Sequence, residues 1–300
     1  MINVHGLTKR FKSVLAVDDL TFDVVPGKVT GFLGPNGSGK STTMSVIMGL
    51  NRPSAGTATI NGQRYQDLRW PLRDVGALLE ARAIHPGRSA YRHLWSLAQY
   101  NDVAKSRVDE VLEIVGLTPV ANKRVGKFSL GMGQRLGIGA ALLGDPGVIL
   151  LDEPANGLDP EGIRWMRTLC KNLASEGRTV LISSHLMAEM SLTADQLVVI
   201  GKGRLIAEMP VSDFVASSSS QAFRVRVAHL EPFVDALESA GARAVSDDNG
   251  TVTVSGLGAT AIGDLALSLG LAVYELTPLA SLEDAFMELT GSSVEYRGAT

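Results

Sequence analysis

The sequence has little cysteine and little net charge. Its single cysteine, Cys170, excludes a disulfide framework and a four-cysteine metal site, and one unpaired thiol is typical of a reducing compartment. The 28 basic and 31 acidic side chains leave a formal charge of −3. Without a strong positive charge the composition gives no support to a nucleic-acid partner, and none is predicted.

Long hydrophobic runs are also missing. The apolar run 136–144 ends at Asp145, and the run 265–274 is bounded by Asp264 and Glu275. Both are far shorter than the roughly 20 residues that a membrane-spanning helix requires. The first residues lack the basic and then apolar plan of a signal peptide. We therefore expect a cytoplasmic protein.

What is present predicts two globular domains. Hydrophobic residues make up 45% and charged residues 20% of the 300 residues, which is typical of folded chains with about 150 residues per domain. Four consecutive serines, residues 217–220, are predicted to be a linker. Residues 221–300 hold four basic and eleven acidic side chains, a formal charge of −7 that leaves +4 on residues 1–220. We predict domains over 1–216 and 221–300.

Residues 221–300 carry alternating strand and helix patterns. Apolar and polar residues alternate over 223–227 as in a half-buried strand, and a helix pattern over 231–240 ends at Gly241. The series continues with strands over 242–246 and 251–255 joined by a turn at 247–250, a helix over 259–269 and a strand over 271–276. This β-α-β-β-α-β order predicts a small α+β domain of the ferredoxin-like kind, followed by a last helix over 282–290.

A glycine-rich loop follows a predicted buried strand over 29–33. It matches the pattern G-x-x-x-x-G-K-[ST] at every fixed position, with the residues Gly34, Pro35, Asn36, Gly37, Ser38, Gly39, Lys40 and Ser41. Glycines let successive amide N–H groups face a phosphate oxygen, and the helix that follows, with Thr42 in its first turn, adds its positive end. Lys40 is expected to reach the β- and γ-phosphates of a bound nucleotide, and the Ser41 hydroxyl to bind Mg²⁺.

A second apolar strand, over 148–151, ends in the carboxylates Asp152 and Glu153. Doubly wound sheets bind ligands at the carboxyl ends of their strands, so these side chains are expected beside the glycine-rich loop. Asp152 is predicted to bind Mg²⁺, and Glu153 to orient and deprotonate the attacking water. Taken alone, the pair could also be two exposed carboxylates at a strand end.

These two motifs, with those that follow them, resemble the ATP-binding subunit of an ABC transporter over about residues 2–215. Asn156-Gly157-Leu158-Asp159 is similar to its D-loop, and His185 to its switch histidine, which contacts the γ-phosphate. Phe11 lies where the family places an aromatic ring under adenine, although a core or edge phenylalanine is the alternative. The resemblance implies an α/β P-loop NTPase domain with a mixed sheet and a helical subdomain.

Two positions depart from the family pattern. The signature motif, usually Leu-Ser-Gly-Gly-Gln, resembles Phe128-Ser129-Leu130-Gly131-Met132, and Ser129 and Gly131 preserve a helix start with a small hydroxyl donor. Leu130 in place of glycine makes the approach to a nucleotide tighter. The Q-loop position is Glu80, which could bind Mg²⁺ through oxygen or be a solvated loop acid.

The departures resemble the branch of bacitracin-, lantibiotic- and daunorubicin-type export ATPases. In that family two subunits meet head to tail and enclose two ATP molecules, each held by the phosphate-binding loop of one copy and by Ser129, Leu130, Gly131 and Met132 of the other. The resemblance implies a homodimer at the inner face of the cell membrane. It also implies separate membrane subunits that contact residues 80–100, from Glu80 to Tyr100, and that export a drug, antibiotic or lipid-like substrate.

Two other functions remain possible for the whole protein, and two roles remain possible for residues 221–300. One alternative function is an importer ATPase with a ligand-sensing C-terminal domain. Another is a soluble ABC ATPase of translation or DNA repair, although the segment between Lys40 and Ser129 has no sustained heptads of the repair type. Residues 221–300 could have a regulatory role. We favour a role in stabilisation or dimerisation.

Overall fold

The computed structural model describes residues 1–80, 84–216, 222–246, 251–278 and 286. The predicted linker 217–220, the turn 247–250 and, apart from Phe286, the last helix 282–290 lie outside the described residues.

The chain divides into two compact units, one containing Met1–Met209 and the other comprising Pro210–Ser292. The division therefore falls a few residues before the predicted boundary, because the short helix α8 (Val211–Ala216) belongs to the second unit.

The strands of residues 1–210 are β1 (Ile2–Phe11), β2 (Val14–Val24), β3 (Val29–Leu33), β4 (Ala55–Ile60), β5 (Val75–Leu78), β6 (Val148–Leu151), β7 (Thr179–Ser184), β8 (Gln196–Gly201) and β9 (Arg204–Pro210). The helices are α1 (Lys40–Ile47), α2 (Pro71–Asp74), α3 (Ala90–Tyr100), α4 (Lys105–Ile114), α5 (Leu130–Leu142), α6 (Pro160–Ser175) and α7 (Met187–Thr193).

A six-stranded sheet in the order β5-β6-β7-β3-β8-β9 forms the centre of the first unit. The pairs from β5 to β8 are parallel, and every residue of β3 and β6 is buried, as predicted for strands covered on both faces. A two-residue turn with positive φ at both Lys202 and Gly203 joins β8 to β9, which is typical of an antiparallel hairpin. The sheet is therefore mixed, as predicted.

A second sheet, in the order β2-β1-β4, is antiparallel and packs on the first. The rings of Phe22 in β2 and Phe32 in β3 stack with centroids 5.3 Å apart, and both side chains are buried. Such aromatic pairs add about 0.5–1.5 kcal/mol to the burial of their area. The contact fixes β3, and with it the start of the glycine-rich loop, against the antiparallel sheet.

Helices α3, α4 and α5 pack on one another and form the predicted helical subdomain. The start of α3 follows from the sequence, since the hydroxyl of Ser89 accepts from the amide of Arg92 at 3.3 Å and caps this helix. The apolar side chains Leu94, Val108 and Leu136 are fully buried in these helices. Within the described ranges no helix combines the length and apolar character needed to cross a membrane.

The second unit is a separate α+β structure. After α8 its elements are β10 (Ala222–Val227), α9 (Leu230–Ser239), β11 (Arg243–Ser246), β12 (Val252–Ser255), α10 (Ala259–Ser268) and β13 (Val273–Pro278). The antiparallel sheet has the order β11-β12-β10-β13, and its core contains Val225, Val254, Phe233 and Ile262. The described residues thus follow the β-α-β-β-α-β order that the sequence predicts.

Candidate nucleotide-binding site

The glycine-rich loop runs from the end of β3 to the start of α1. Gly39 immediately precedes the helix with φ of 106°, and a Cβ atom at this position would lie 2.6 Å from the carbonyl oxygen of Ala16. Only glycine combines this backbone conformation with so close an approach. The loop therefore curls tightly and directs the first N–H groups of α1 into the space that it encloses.

Lys40 lies at the base of this loop and is 6% exposed. Its Nζ donates to the carbonyl oxygens of Gly34 at 2.6 Å and of Pro35 at 3.3 Å, and it lies 3.9 Å from Oε1 of Glu153. Burial lowers the pKa of Lys40, and the charges of Glu153 and Asp152 oppose that effect. A buried ammonium group that bends back onto its own loop is well placed to exchange these carbonyl oxygens for phosphate oxygens.

A cavity of about 320 Å³ opens beside the loop. It is lined by Ala16, Asn36, Gly37, Gly39, Lys40, Ser41, Thr42, Glu153, Asn156 and His185. The hydroxyl of Ser38 is buried at the loop and has no hydrogen-bond partner within the described residues. Backbone N–H groups, a lysine and hydroxyls are the donors that a polyphosphate requires, so the residues present fit that group.

The two carboxylates at the end of β6 are held by a serine on the next strand. The parallel register pairs Leu151 with Ile182, which places Asp152 beside Ser183. The Ser183 hydroxyl donates to Oδ1 of Asp152 and accepts from the amide of Glu153 at 2.9 Å. One buried hydroxyl therefore fixes both the Asp152 side chain and the Glu153 backbone.

Glu153 has an unusual backbone conformation for a residue with a side chain, since its φ is 49°. Left-handed geometry costs a residue with a Cβ atom about 1–2 kcal/mol. The Glu153 amide is held by Ser183, and its carbonyl oxygen accepts from Nε2 of Gln134 at 3.2 Å. These two bonds keep the Glu153 carboxylate at the cavity.

His185 follows β7 directly and lies across the cavity from the glycine-rich loop. Its Nδ1 is 2.7 Å from Oε2 of Glu153, while the other carboxylate oxygen faces Lys40. The site therefore contains a carboxylate between a lysine and an imidazole. A carboxylate in this position can accept a proton from water, and the imidazole can orient it.

The segment 128–132 lies at the start of α5, where the Ser129 hydroxyl accepts from the amide of Met132 at 3.2 Å. Neither Ser129 nor Gly131 lines the cavity described above, and the Leu130 side chain is 48% exposed. In the segment 156–159, Asp159 caps α6, because its Oδ1 accepts from the amide of Gly162 at 2.8 Å.

Phe11 and Glu80, like Asp152 and Asp159, do not line the cavity. Phe11 is 43% exposed at the end of β1, where the ammonium group of Lys9 lies 4.6 Å from its ring centroid. Glu80 is exposed two residues beyond β5, the strand that pairs with β6. Across the described part of the chain it has no hydrogen bond or ion pair, although it follows the same edge of the sheet as Asp152.

Sequence reasoning did not predict the roles of Ser183 and Gln134. Ser183 reaches Asp152 through the pairing of β6 with β7, and Gln134 reaches Glu153 because α5 packs close to that segment. No local motif marks these contacts, since they depend on strand order and helix packing. The lining residues Ala16 and Asn156 were also not predicted, although Asn156 lies in the segment 156–159.

Comparison with known proteins gives a consistent result along the chain. The family described as "ABC transporter" matches residues 17–156, and a domain of unknown function matches residues 221–283. The chain is 36% identical to the uncharacterized ABC transporter ATP-binding protein YhcH of Bacillus subtilis, with 98% of this chain and 97% of that protein covered. It is 42% identical to the bacitracin transport ATP-binding protein BcrA of Bacillus licheniformis, with 70% of each chain covered.

Solved structures agree on the fold of the first unit. The structure of an ATP-binding subunit of an ABC transporter has a TM-score of 0.66 at 26% identity and covers 72% of this chain and 92% of that one. The dimeric structure of the bacterial ABC transporter cassette MJ0796 has a TM-score of 0.65 at 25% identity and covers 70% of this chain and 99% of that one. The predicted P-loop NTPase fold is thereby confirmed.

Proposed function

The chain belongs to the family of ABC transporter ATP-binding subunits, and we propose on this premise that it is the ATP-hydrolysing motor of an exporter. The observation that carries the proposal is the position of Glu153. Its carboxylate lies between Lys40 and His185, and its backbone is fixed by Ser183 and Gln134 in a conformation that costs free energy.

In this mechanism Lys40 and the N–H groups of the glycine-rich loop bind the β- and γ-phosphates of ATP. Glu153 orients a water molecule behind the γ-phosphate and accepts its proton as the water oxygen bonds to the γ-phosphorus. The bond between that phosphorus and the oxygen shared with the β-phosphate breaks in the same step, and ADP leaves. His185 holds that carboxylate through Nδ1, 2.7 Å from Glu153, and in the imidazolium form its second N–H, at Nε2, donates toward the γ-phosphate oxygens. Positioning and charge stabilisation then account for most of the acceleration, as in other phosphoryl transfers.

We propose that Ser41 and Asp152 hold Mg²⁺, with Glu80 as a further oxygen ligand. Held there, the ion would neutralise negative charge on the phosphate oxygens of the nucleotide. The donor set supports this assignment, because hydroxyl and carboxylate oxygens are the ligands that Mg²⁺ prefers. Ser183 keeps one oxygen of Asp152 directed by its hydrogen bond, which leaves the second oxygen for the ion.

We propose further that two copies enclose two ATP molecules, with Ser129 and Gly131 of each copy contacting the nucleotide of the other. Two features support the proposal. The helix start at Ser129 is separate from the cavity of its own chain, and the related MJ0796 cassette was solved as a dimer. ATP would favour the closed dimer by the difference between its affinities for the closed and open states, and hydrolysis would remove that preference.

The similarity to transporter ATP-binding subunits also supports a role in transport. We propose that the dimer lies at the inner face of the cell membrane and docks through residues 80–100 on separate membrane subunits. We propose export of a drug, antibiotic or lipid-like substrate, which the similarity to the bacitracin transport protein BcrA supports.

The direct test is magnesium-dependent phosphate release by the purified chain, alone and with its membrane subunits in liposomes. Wild-type protein should release phosphate with Mg²⁺ and stop with a chelator. Lys40→Ala should be inactive, whereas Lys28→Ala, an exposed lysine outside the cavity, should match wild type. If the wild-type chain released no phosphate in the presence of Mg²⁺, either alone or with its membrane subunits, the proposal would be refuted.

A further inference from the structure

The sheet of the second unit carries charge opposite in sign to the rest of that unit. Residues 221–300 contain four basic side chains against eleven acidic ones. Three of the four, Arg224, Arg226 and Arg243, are exposed on strands of the sheet. The composition alone does not explain why they are gathered there.

Strand alternation places Arg224 and Arg226 on the face that the helices leave open. Their neighbours Val225 and Val227 are buried in the core with residues of α9 and α10. Successive side chains of a strand point to opposite faces, so the two arginines point away from these helices.

The strand register places Arg243 on the same face. Arg243 pairs with Ser255 of β12, and Arg224 pairs with Thr253 of the same strand. Ser255 and Thr253 alternate with the buried Val254 and therefore share the open face. All three guanidinium groups thus belong to one surface, which we call the arginine face.

The arginine face has little to neutralise it. Its three guanidinium groups have no hydrogen bond or ion pair to any described residue. Among the described strand residues the face holds one carboxylate, Glu275, which pairs with Arg226 in the register and accepts from the Thr277 hydroxyl at 3.4 Å. The exposed acids Glu231, Asp235 and Asp264 lie on the helices instead. The charges of this unit are therefore segregated, with a basic sheet face and an acidic helical side.

Several occupants fit this face poorly. A symmetric pair of arginine faces would oppose like charges, which is unfavourable. Bases stack on aromatic rings in nucleic-acid-binding sheets, and the described open-face positions of β10, β11 and β12 carry the arginines, hydroxyls and Val245 instead, while the exposed Tyr274 lies on the edge strand β13. A membrane surface is bound by basic residues together with inserted apolar side chains, and at the described open-face positions of β10, β11 and β12 Val245 is the one large apolar side chain.

We propose that the arginine face is a docking surface for an extended acidic peptide segment of a partner protein. Arg224 and Arg226 are two residues apart on β10, a spacing of about 6.7 Å that the alternate side chains of an extended peptide reproduce. Guanidinium groups bind carboxylates in a planar, two-bond geometry, and the hydroxyls of Thr253 and Ser255 add donors between them. The site is separate from ATP hydrolysis and does not rest on it.

The test measures binding of a fluorescein-labelled ten-residue peptide of alternating Glu and Ser to the full-length chain. Fluorescence anisotropy reports the binding at about 50 mM salt, where salt screens the attraction between charges only weakly. Replacing Arg224, Arg226 and Arg243 together by Gln should weaken binding about tenfold. The matched variant Arg10→Gln, Arg52→Gln and Arg164→Gln removes the same charge from exposed positions of the first unit and should change binding less than about twofold.

Equal binding by wild type and the arginine-face variant would overturn the proposal, as would an equal loss in the matched variant. The same proteins are also tested with phosphatidylglycerol vesicles, with an oligothymidine and for self-association. Binding to any of these that exceeds peptide binding and depends on the arginine face would show that the occupant is not an acidic peptide. Phosphate release from ATP should be unchanged in both variants, which separates this result from that of the proposed function.

Discussion

The side chain of Leu130 lies on Gly157. A Cβ atom built on Gly157 would overlap Cγ and Cδ2 of Leu130, and the backbone of Gly157 has φ of 77°. Leu130 stands where the family has glycine, and its side chain contacts the segment 156–159 of its own chain. Gln134, four residues along the same helix, donates to the Glu153 carbonyl oxygen. The start of α5 is thus joined at two points to the segment that follows β6.

The contact predicts a coupled effect of two substitutions. Gly157→Ala should lower the free energy of unfolding by about 1–2 kcal/mol from its positive φ, and further because its Cβ displaces Leu130. Adding Leu130→Ala should remove the part of this loss that comes from displacing Leu130. A double-mutant cycle measured by denaturation should then give a coupling energy of at least about 0.5 kcal/mol. Strictly additive effects would show that the two residues do not constrain each other.

Replacing the predicted base should separate binding from turnover. Glu153→Gln keeps the size of the side chain but cannot accept the proton, so phosphate release should fall by about 10²- to 10⁴-fold while ATP still binds. The variant should accumulate as a nucleotide-bound dimer on size-exclusion chromatography. Glu113→Gln, at an exposed position of α4, serves as control and should behave as wild type. Near-normal turnover by Glu153→Gln would remove Glu153 from the base role.

If each ATP site is shared between two copies, mixing two inactive variants should restore part of the phosphate release. Ser129→Arg should block the site of the opposite copy, and Lys40→Ala should weaken ATP binding in its own copy by more than about 100-fold. In a mixed dimer one site has neither substitution. Equal mixtures should therefore recover about a quarter of wild-type phosphate release if the two sites act independently. Because Ser129 also caps α5, thermal melting of Ser129→Arg checks that it is folded. No recovery by folded proteins would contradict independently acting shared sites.

Cys170 should resist alkylation in the folded protein. Complete burial raises the pKa of its thiol to about 12. At pH 8.5 the thiolate fraction is then about a thousandth of that of an ordinary cysteine with a pKa of about 8.5, and it rises only as the pH approaches 12. Iodoacetamide should label Cys170 slowly until denaturant is added. The control variant Cys170→Ala with Ser175→Cys, which moves the thiol to an exposed position, should react at once. Rapid labelling of native Cys170 would contradict its burial.

The parts of the site that are continuous in sequence could be predicted from it. The glycine-rich loop and the strand before Asp152 combine fixed residue types with fixed flanking elements, and both lie as predicted. The contacts of Ser183 and Gln134 with the Glu153 segment could not, because they join elements distant in sequence. Local patterns do not specify strand order, which decides these contacts.

Positions that rested on resemblance alone are less well determined. Phe11 and Glu80 were assigned by their place in the family pattern, and neither lines the cavity. Phe11 contacts Lys9 and remains partly exposed, and Glu80 belongs to a loop whose next residues lie outside the described ranges. Their roles remain predictions, because a pattern gives the place of a residue in the chain without giving the direction of its side chain.

The Ser183 hydroxyl has no remaining hydrogen to give, since it donates to Asp152 while accepting from the Glu153 amide. Alanine would leave two partners unsatisfied, and the extra methyl of threonine would have to enter a space that is already filled, because Ser183 is fully buried. This inner position therefore tolerates little exchange, although Ser183 does not line the cavity. A library of substitutions selected for function should retain serine here as it retains Lys40 and Glu153.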